Sequence, residues 1–157
     1  MNICEMFVQE CEVEYKCVEQ SGTDPEFIAS EKKSSFIIKN VSGKDICKVK
    51  IDKCVIADHN KKPDFLIINN DDKILYIIEL KGTNFRRGIQ QILTLIYLYE
   101  NKRFFKEANV VNSYIVVSEL GANVPDVDAI ARKDIRDKMG ELNGKFRYAK
   151  GTFTELA

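Results

Sequence analysis

Runs of apolar residues predict strands in the first half of the chain. Residues 34–40 and 46–52 flank the turn-like stretch 41–45, and within 46–52 apolar and polar positions alternate as in a half-exposed strand. We therefore expect strand, turn and strand over this region. Residues 65–68 and 74–78 are continuously apolar, which is typical of neighbouring strands that are covered on both faces.

Helical spacing of apolar residues predicts helices at 3–19, 82–107 and 126–140. The expected buried side of the last helix consists of Val127, Ile130, Ala131, Ile135 and Met139. The turn cluster 21–26 contains Pro25, which favours a short helix there. A buried strand at 110–120 and extended segments at 145–156 complete the predicted elements.

Strands that come first, followed by helix, strand and helix, predict an α+β or mixed α/β domain. We expect antiparallel hairpins within a mixed sheet that is flanked by helices. The length suits a single domain, 1–157. Its predicted parts are an N-terminal helical segment, 1–30, the central strands and helix, and a C-terminal helix with extended segments, 120–157.

Three charged residues interrupt the apolar hairpin, and pairing brings them together. If residues 71–72 form a two-residue loop, counting outward along the ladder pairs Asp64 with Glu79. Lys81 follows two positions later and so shares a face with Glu79. The three charges are therefore expected to converge at the open end of the hairpin.

Two opposed carboxylates are destabilising unless something lies between them. A divalent cation would turn their repulsion into coordination, and hard oxygen ligands suit Mg²⁺ or Mn²⁺. Asp64 and Glu79 are the predicted metal ligands, and the carbonyl of Leu80 is a further candidate oxygen. Lys81 beside such a metal would orient or deprotonate a water and stabilise charge on a phosphate.

The stretch Pro63-Asp64, followed after an apolar strand by Glu79-Leu80-Lys81, resembles the PD-(D/E)XK nuclease superfamily, which has the restriction-endonuclease-like fold. The core of that fold is a helix, a three-stranded antiparallel run, a helix and a further strand, and the predicted order over residues 3–117 is similar. The resemblance implies metal-dependent hydrolysis of nucleic-acid phosphodiester bonds, usually in DNA. It assigns Asp64 and Glu79 as metal ligands and Lys81 as the catalytic lysine, and it suggests a homodimer.

The chain departs from the family pattern in two places. Many members carry a metal-binding acid on the first helix, and four glutamates, or none, could take that place here: Glu10, Glu14, Glu19 and Glu31. Some members carry a QxxxY signature on the helix after the lysine. Thr94 and Leu95 stand where that signature would need tyrosine after Gln90 or Gln91, which argues against the RecB-like branch.

Polar residues near the hairpin are candidates for supporting roles. Gln90 or Gln91 could point back to the site, and Arg86 and Arg87 could attract phosphate at the start of the helix. Lysines that precede the site, Lys61 and Lys62 among them, could follow a nucleic-acid backbone. For all of them a solvated charged face is the alternative explanation. Core packing is expected for Tyr76, Tyr97 and Tyr99.

Composition and charge are those of an ordinary globular protein. Hydrophobic residues make up 45% and charged residues 31%, with a formal net charge of zero. A zero net charge gives no overall field that would attract polyanions. No apolar run reaches the ~20 residues of a membrane helix, and the acidic N-terminus lacks the basic region of a secretory signal. We therefore expect a cytoplasmic protein that does not enter membranes.

The cysteine pattern also predicts a cytoplasmic protein. They lie at positions 4, 11, 17, 47 and 54 and include no CxxC pair. A zinc or iron–sulfur site usually shows tighter pairing. We therefore predict reduced thiols, as in most cytosolic proteins.

These observations lead to a principal hypothesis and two rivals. The first is a small nuclease that uses Mg²⁺ or Mn²⁺, with DNA as the expected substrate. The second is a catalytically inactive nucleic-acid-binding or protein-interaction module on the same fold. The third is an unrelated α+β domain in which the motif is coincidental. DNA and RNA, and cleavage at ends or in the interior, all fit the residues named.

Overall fold

The computed structural model describes residues 1–55, 62–81, 85–118 and 129–157, without the side chains of Lys81 and Ala129. Its strands, in chain order, are β1 (Val18–Gly22), β2 (Glu26–Glu31), β3 (Ser34–Lys39), β4 (Ile46–Lys50), β5 (Phe65–Asn69), β6 (Ile74–Lys81), β7 (Val110–Val117), β8 (Phe146–Lys150) and β9 (Thr152–Leu156). Its α-helices are α1 (Ile3–Glu10), α2 (Phe85–Tyr99), α3 (Arg103–Lys106) and α4 (Ala129–Glu141), and Tyr15–Cys17 form a short 3₁₀ helix.

In this described part of the chain, six strands form a mixed sheet in the order β1-β4-β5-β6-β7-β8. The first four are antiparallel to their neighbours. The last two run parallel to β6, as β6-α2-β7 and β7-α4-β8 crossovers require. The predicted fold class, a mixed sheet flanked by helices, is therefore confirmed.

A smaller sheet, with the order β2-β3-β9, covers one face of the main sheet. Aromatic rings fill the space between the two sheets, with Phe36 of β3 lying 4.6 Å from Tyr114 of β7 and 6.0 Å from Phe153 of β9, centroid to centroid. Gly151 joins the sheets, because its N–H donates to the Val117 carbonyl and its own carbonyl accepts from Ser35. Its φ of 76° suits glycine.

The helices pack on the opposite face of the main sheet. Phe7 of α1 contacts Phe104 of α3 at a centroid distance of 4.8 Å, and α2 buries Ile92 and Ile96 against the strands. Asn2 and Glu5 form a reciprocal capping box that fixes the start of α1. The predicted burial of both faces of β5 and β6 follows from these two layers.

The hairpin of β5 and β6 has the predicted register. Phe65 pairs with Ile78, and Asn69 pairs with Ile74, as predicted. The regular pairing ends at Phe65, and Asp64, just before β5, donates its N–H to the Ile78 carbonyl. The loop is longer than the predicted two residues, because pairing stops at Asn69. Its side-chain oxygen instead accepts from the Asp72 N–H at 3.0 Å and closes the turn.

The predicted helix 3–19 was too long. α1 ends at Glu10, the backbone of Glu12 has a left-handed φ of 50°, and the 3₁₀ helix and β1 follow. Residues 1–30 therefore hold strands as well as a helix, and Pro25 precedes β2 instead of opening a helix. The predicted helix 82–107 is interrupted after Tyr99 and continues as the short α3.

The strands predicted at 34–40 and 46–52 are present as β3 and β4, in the small sheet and the main sheet respectively. Two predictions of buried residues were wrong. α4 buries Ile135 and Met139 as expected, but Ile130 is 73% exposed. Tyr97 is 60% exposed, in contrast to the buried Tyr76 and Tyr99. The predicted ends 119–120 and 126–128 lie outside the described residues.

The prediction of reduced thiols was also wrong. Disulfides join Cys4 to Cys47 and Cys17 to Cys54, and Cys11 is the free cysteine. α1 and the 3₁₀ helix lie against β4 and the turn after it, so residues far apart in sequence are within bonding distance. No helix within the described residues is long and apolar enough to span a membrane.

Candidate functional site

Asp64 is held on three sides at the open end of the hairpin. Its N–H donates to the Ile78 carbonyl at 3.1 Å, and its own carbonyl accepts from the Ile51 N–H at 2.9 Å. Its carboxylate Oδ2 accepts from the Leu80 N–H at 2.7 Å. The residue is only 4% exposed. These bonds fix both the backbone and the direction of the carboxylate, which reaches across to the end of β6.

Glu79 is fully buried, at 0% exposure, on the face of β6 that meets α2. Leu75 and Ile77 belong to the helix-side core, and strand alternation places Glu79 on the same face as both. Burial of a carboxylate is costly, and such groups concentrate at functional sites.

Gly88, near the start of α2, allows the helix to approach Glu79 closely. A Cβ at that position would lie 2.9 Å from Ile115 Cδ1 and 3.4 Å from Glu79 Cγ. Gly88 was not among the residues predicted for the site. A signal for it was present, since a glycine within an apolar helical pattern often marks a close packing contact.

Leu80 contributes backbone groups to the same place. Its N–H points toward Asp64, and in an extended strand the carbonyl of a residue points to the same side as its N–H. Two carboxylates and a backbone carbonyl form a set of hard oxygen donors, which fits Mg²⁺ or Mn²⁺. Within the described residues, no three or more His, Cys, Asp or Glu side chains are grouped so that they could hold a metal ion.

Lys81 is the last residue of β6, and its backbone pairs with Val117 of β7. Its side chain lies outside the described part of the structure. The backbone therefore supports the predicted position of the lysine, two residues after Glu79, while its catalytic role stays a prediction.

The structure distinguishes between the two glutamines that the sequence left open. Gln91 is 6% exposed, and its Nε2 donates to the Lys62 carbonyl at 2.9 Å. Gln90 lies on the exposed side of α2. Gln91 thus fastens α2 to the segment that leads into Asp64. Its Oε1 is buried and accepts no hydrogen bond within the described residues.

The predicted cationic residues differ in their surroundings. Arg86 and Arg87 are exposed in the first turn of α2. Lys62 is only 4% exposed, so it does not belong to a solvated charged face, which was the alternative explanation for it. Lys61 lies outside the described residues. Arg86 and Arg87 are therefore the candidate phosphate contacts that face solvent.

Glu10, Glu14 and Glu19 make contacts away from the candidate site. Glu10 caps α3 by accepting from the N–H groups of Arg103 and Phe104 at 2.9 and 2.6 Å. Glu14 pairs with Lys16 and Glu19 with Lys48, at 3.2 and 3.4 Å. These contacts favour structural roles for these glutamates, so Asp64 and Glu79 remain the main acids of the candidate site.

A cavity of about 750 Å³ lies elsewhere, between α1 and the strands β1 and β4. Its lining includes Asn70, which lies at the loop end of the hairpin, opposite to Asp64. The candidate site is therefore identified from its side chains and not from cavity size.

Comparisons with protein-family models, with curated proteins and with solved structures found no match for this chain.

Proposed function

We propose that this chain is a metal-dependent nuclease that hydrolyses phosphodiester bonds in nucleic acid, with DNA as the expected substrate. The observation that carries the proposal is the contact between the Asp64 carboxylate and the Leu80 N–H, directly beside the buried Glu79. This contact brings the two acids and the Leu80 carbonyl to one end of one hairpin.

The order of elements supports the same proposal. Helix α1, the antiparallel run β4-β5-β6, helix α2 and the parallel strand β7 occur in the chain order of the PD-(D/E)XK core, with β1, β2 and β3 inserted before β4 and α3 inserted before β7. Asp64 stands at the start of the second strand of that run, and Glu79, Leu80 and Lys81 end the third. The resemblance proposed from sequence thus has a matching topology around it.

In the proposed mechanism, Asp64, Glu79 and the Leu80 carbonyl would hold Mg²⁺ or Mn²⁺. Such an ion, when bound, neutralises phosphate charge and lowers the pKa of a coordinated water. Lys81 would take a proton from the attacking water or stabilise the phosphate oxygens. Arg86 and Arg87 would bind the substrate backbone, and Gln91 would keep Asp64 in position through Lys62.

A non-catalytic module on the same fold is the second candidate. Two observations favour it: the net charge is zero, and Glu79 has no solvent-exposed surface that a substrate could reach directly. Such a module would bind nucleic acid or another protein, and a homodimer is the expected assembly in both cases. The cytoplasm stays the predicted location, although disulfides such as these are uncommon there.

The test is a cleavage assay on plasmid, linear duplex, single-stranded DNA and RNA, in Mg²⁺, Mn²⁺ or EDTA. We expect metal-dependent cleavage that is lost in Lys81→Ala and Asp64→Asn. Lys133→Ala, at an exposed position of α4, is the matched control and should cleave normally. Folded protein that binds nucleic acid without cutting it would support the second candidate. Cleavage that survives Lys81→Ala would disprove the proposed site.

A further inference from the structure

Two disulfides fasten the N-terminal part of the chain to the region around β4. Cys4–Cys47 joins α1 to the strand itself. Cys17–Cys54 joins the 3₁₀ helix to the turn that follows the strand. The two bonds therefore constrain different parts of the molecule, and the turn that carries Cys54 comes just before the segment that leads to Asp64.

Hydrogen bonds connect Cys54 to Asp64 through a single residue. The N–H groups of Cys54 and Val55 both donate to the Ile51 carbonyl, at 3.2 and 3.1 Å. The N–H of Ile51 donates to the Asp64 carbonyl at 2.9 Å. Ile51 and Asp64 are both buried, so the bond between these two residues is shielded from water. The position of the disulfide-bonded turn is thus transmitted to the backbone of Asp64.

The disulfides also differ in how easily a thiol can reach them. Cys4 and Cys47 line the cavity between α1 and β4 but are buried, as is Cys17, whereas Cys54 is half-buried. Because Cys54 has the largest exposed fraction of the four, we expect a thiolate from solvent to react there first. Cys11 does not compete as an internal nucleophile, because burial raises its pKa to about 11 and it stays protonated near neutral pH.

We propose that Cys54 is a site of thiol–disulfide exchange, and that the state of the Cys17–Cys54 bond sets how firmly Asp64 is held. The reactant is a small or protein dithiol. One of its thiolates attacks Cys54 Sγ, the disulfide breaks, and Cys17 leaves as a thiolate that takes a proton. The second thiol then attacks the mixed disulfide and releases Cys54 as a thiol. The dithiol becomes a disulfide, and two electrons pass to the two cysteines.

This proposal depends on the backbone contacts of Asp64, and it does not require that the candidate site has nuclease activity. Its readout is amide hydrogen exchange of the oxidised protein in graded dithiothreitol, with each disulfide followed by alkylation and mass spectrometry. We expect Cys17–Cys54 to open before Cys4–Cys47. On its opening, exchange at the Ile51 amide should accelerate about tenfold or more, while exchange at Ile67, in the middle of β5, changes by less than about threefold.

Two double variants form a matched pair. In Cys17→Ser/Cys54→Ser we expect the same loss of protection at Ile51. In Cys4→Ser/Cys47→Ser we expect protection at Ile51 to be kept and α1 amides to exchange faster. The proposal is wrong if Ile51 is unaffected by opening of Cys17–Cys54, if Ile51 and Ile67 lose protection equally, or if Cys4–Cys47 opens first. Should the first variant fail to fold, the wild-type reduction series decides between these outcomes.

Discussion

Asp64 can be changed in two ways that separate its hydrogen bond from its charge. Asp64→Ala removes the acceptor that the Leu80 N–H uses at 2.7 Å. Asp64→Asn keeps a carbonyl oxygen of nearly the same shape but removes the negative charge. If the carboxylate is retained for metal binding, the two variants should differ in stability and agree in the loss of metal affinity.

The expected difference in stability follows from burial. Leu80 and Asp64 are both almost completely buried, so the alanine variant leaves the Leu80 N–H without an acceptor and away from water. An unsatisfied buried donor costs about 1–3 kcal/mol. The asparagine variant keeps a neutral hydrogen bond, roughly half as strong as one to a carboxylate. We therefore expect Asp64→Ala to be less stable than Asp64→Asn by about 2 kcal/mol.

Urea denaturation without reductant measures the free energies of unfolding, because the disulfides must stay intact. With a slope near 2 kcal/mol/M, a difference of about 2 kcal/mol moves the midpoint by about 1 M. Calorimetric titration with Mn²⁺ then measures metal binding for the same proteins. Asp72→Asn, at the loop end of the hairpin, is the control and should bind Mn²⁺ normally.

Two results would contradict this reasoning. Equal stability of the alanine and asparagine variants, within about 0.5 kcal/mol, would show that the bond to Leu80 does not hold the side chain. Binding of Mn²⁺ by Asp64→Asn with wild-type affinity would remove Asp64 from the metal ligands. Loss of binding in a stably folded Asp64→Asn is the outcome that the proposed site requires.

Three further predictions concern other parts of the fold. Gly144→Ala should lower the free energy of unfolding by about 3 kcal/mol or more, because the added Cβ would lie 1.7 Å from a backbone oxygen of β7. Gly140→Ala is the control, because the space around that position is open. Urea titration measures both variants. Iodoacetamide should alkylate Cys11 about 100-fold more slowly at pH 8 in the folded than in the unfolded chain, because burial raises its pKa to about 11, and the rate should recover toward pH 11. Loss of the Cys4–Cys47 bond, which closes a loop with a sequence separation of 43, should cost about 4 kcal/mol in the same titration.

The hairpin register was predictable because it depends on local pattern. Two apolar runs flank a short polar stretch, and only one pairing puts both runs in the core. The same pattern predicts that Asp64 and Glu79 lie at the open end of the hairpin, and both flank the last regular pair, Phe65 with Ile78. The loop length was missed, because Asn69 uses its side chain to close a wider turn.

Elements whose partners are distant in sequence were not predictable in the same way. β3 has a strand pattern, but nothing local indicates that it pairs with β9 near the other end of the sequence. The pairings of Cys4 and Cys17 are of the same kind, since the pattern of cysteines does not determine their connections. Gln90 and Gln91 could not be distinguished for the same reason. The sequence does not show which side of α2 packs against the segment before Asp64.

The dependence of β3 on β9 also matters for how the chain is made. A ribosome synthesises β9 after β3 and after the six strands that form the main sheet in the described residues, so the small sheet stays incomplete until β9 is made. Until β9 emerges, Phe153 is missing from the aromatic cluster, and Phe36 and Tyr114 have less cover. Nascent chains stalled before Gly151 are therefore expected to bind chaperones more than chains from which β9 has emerged.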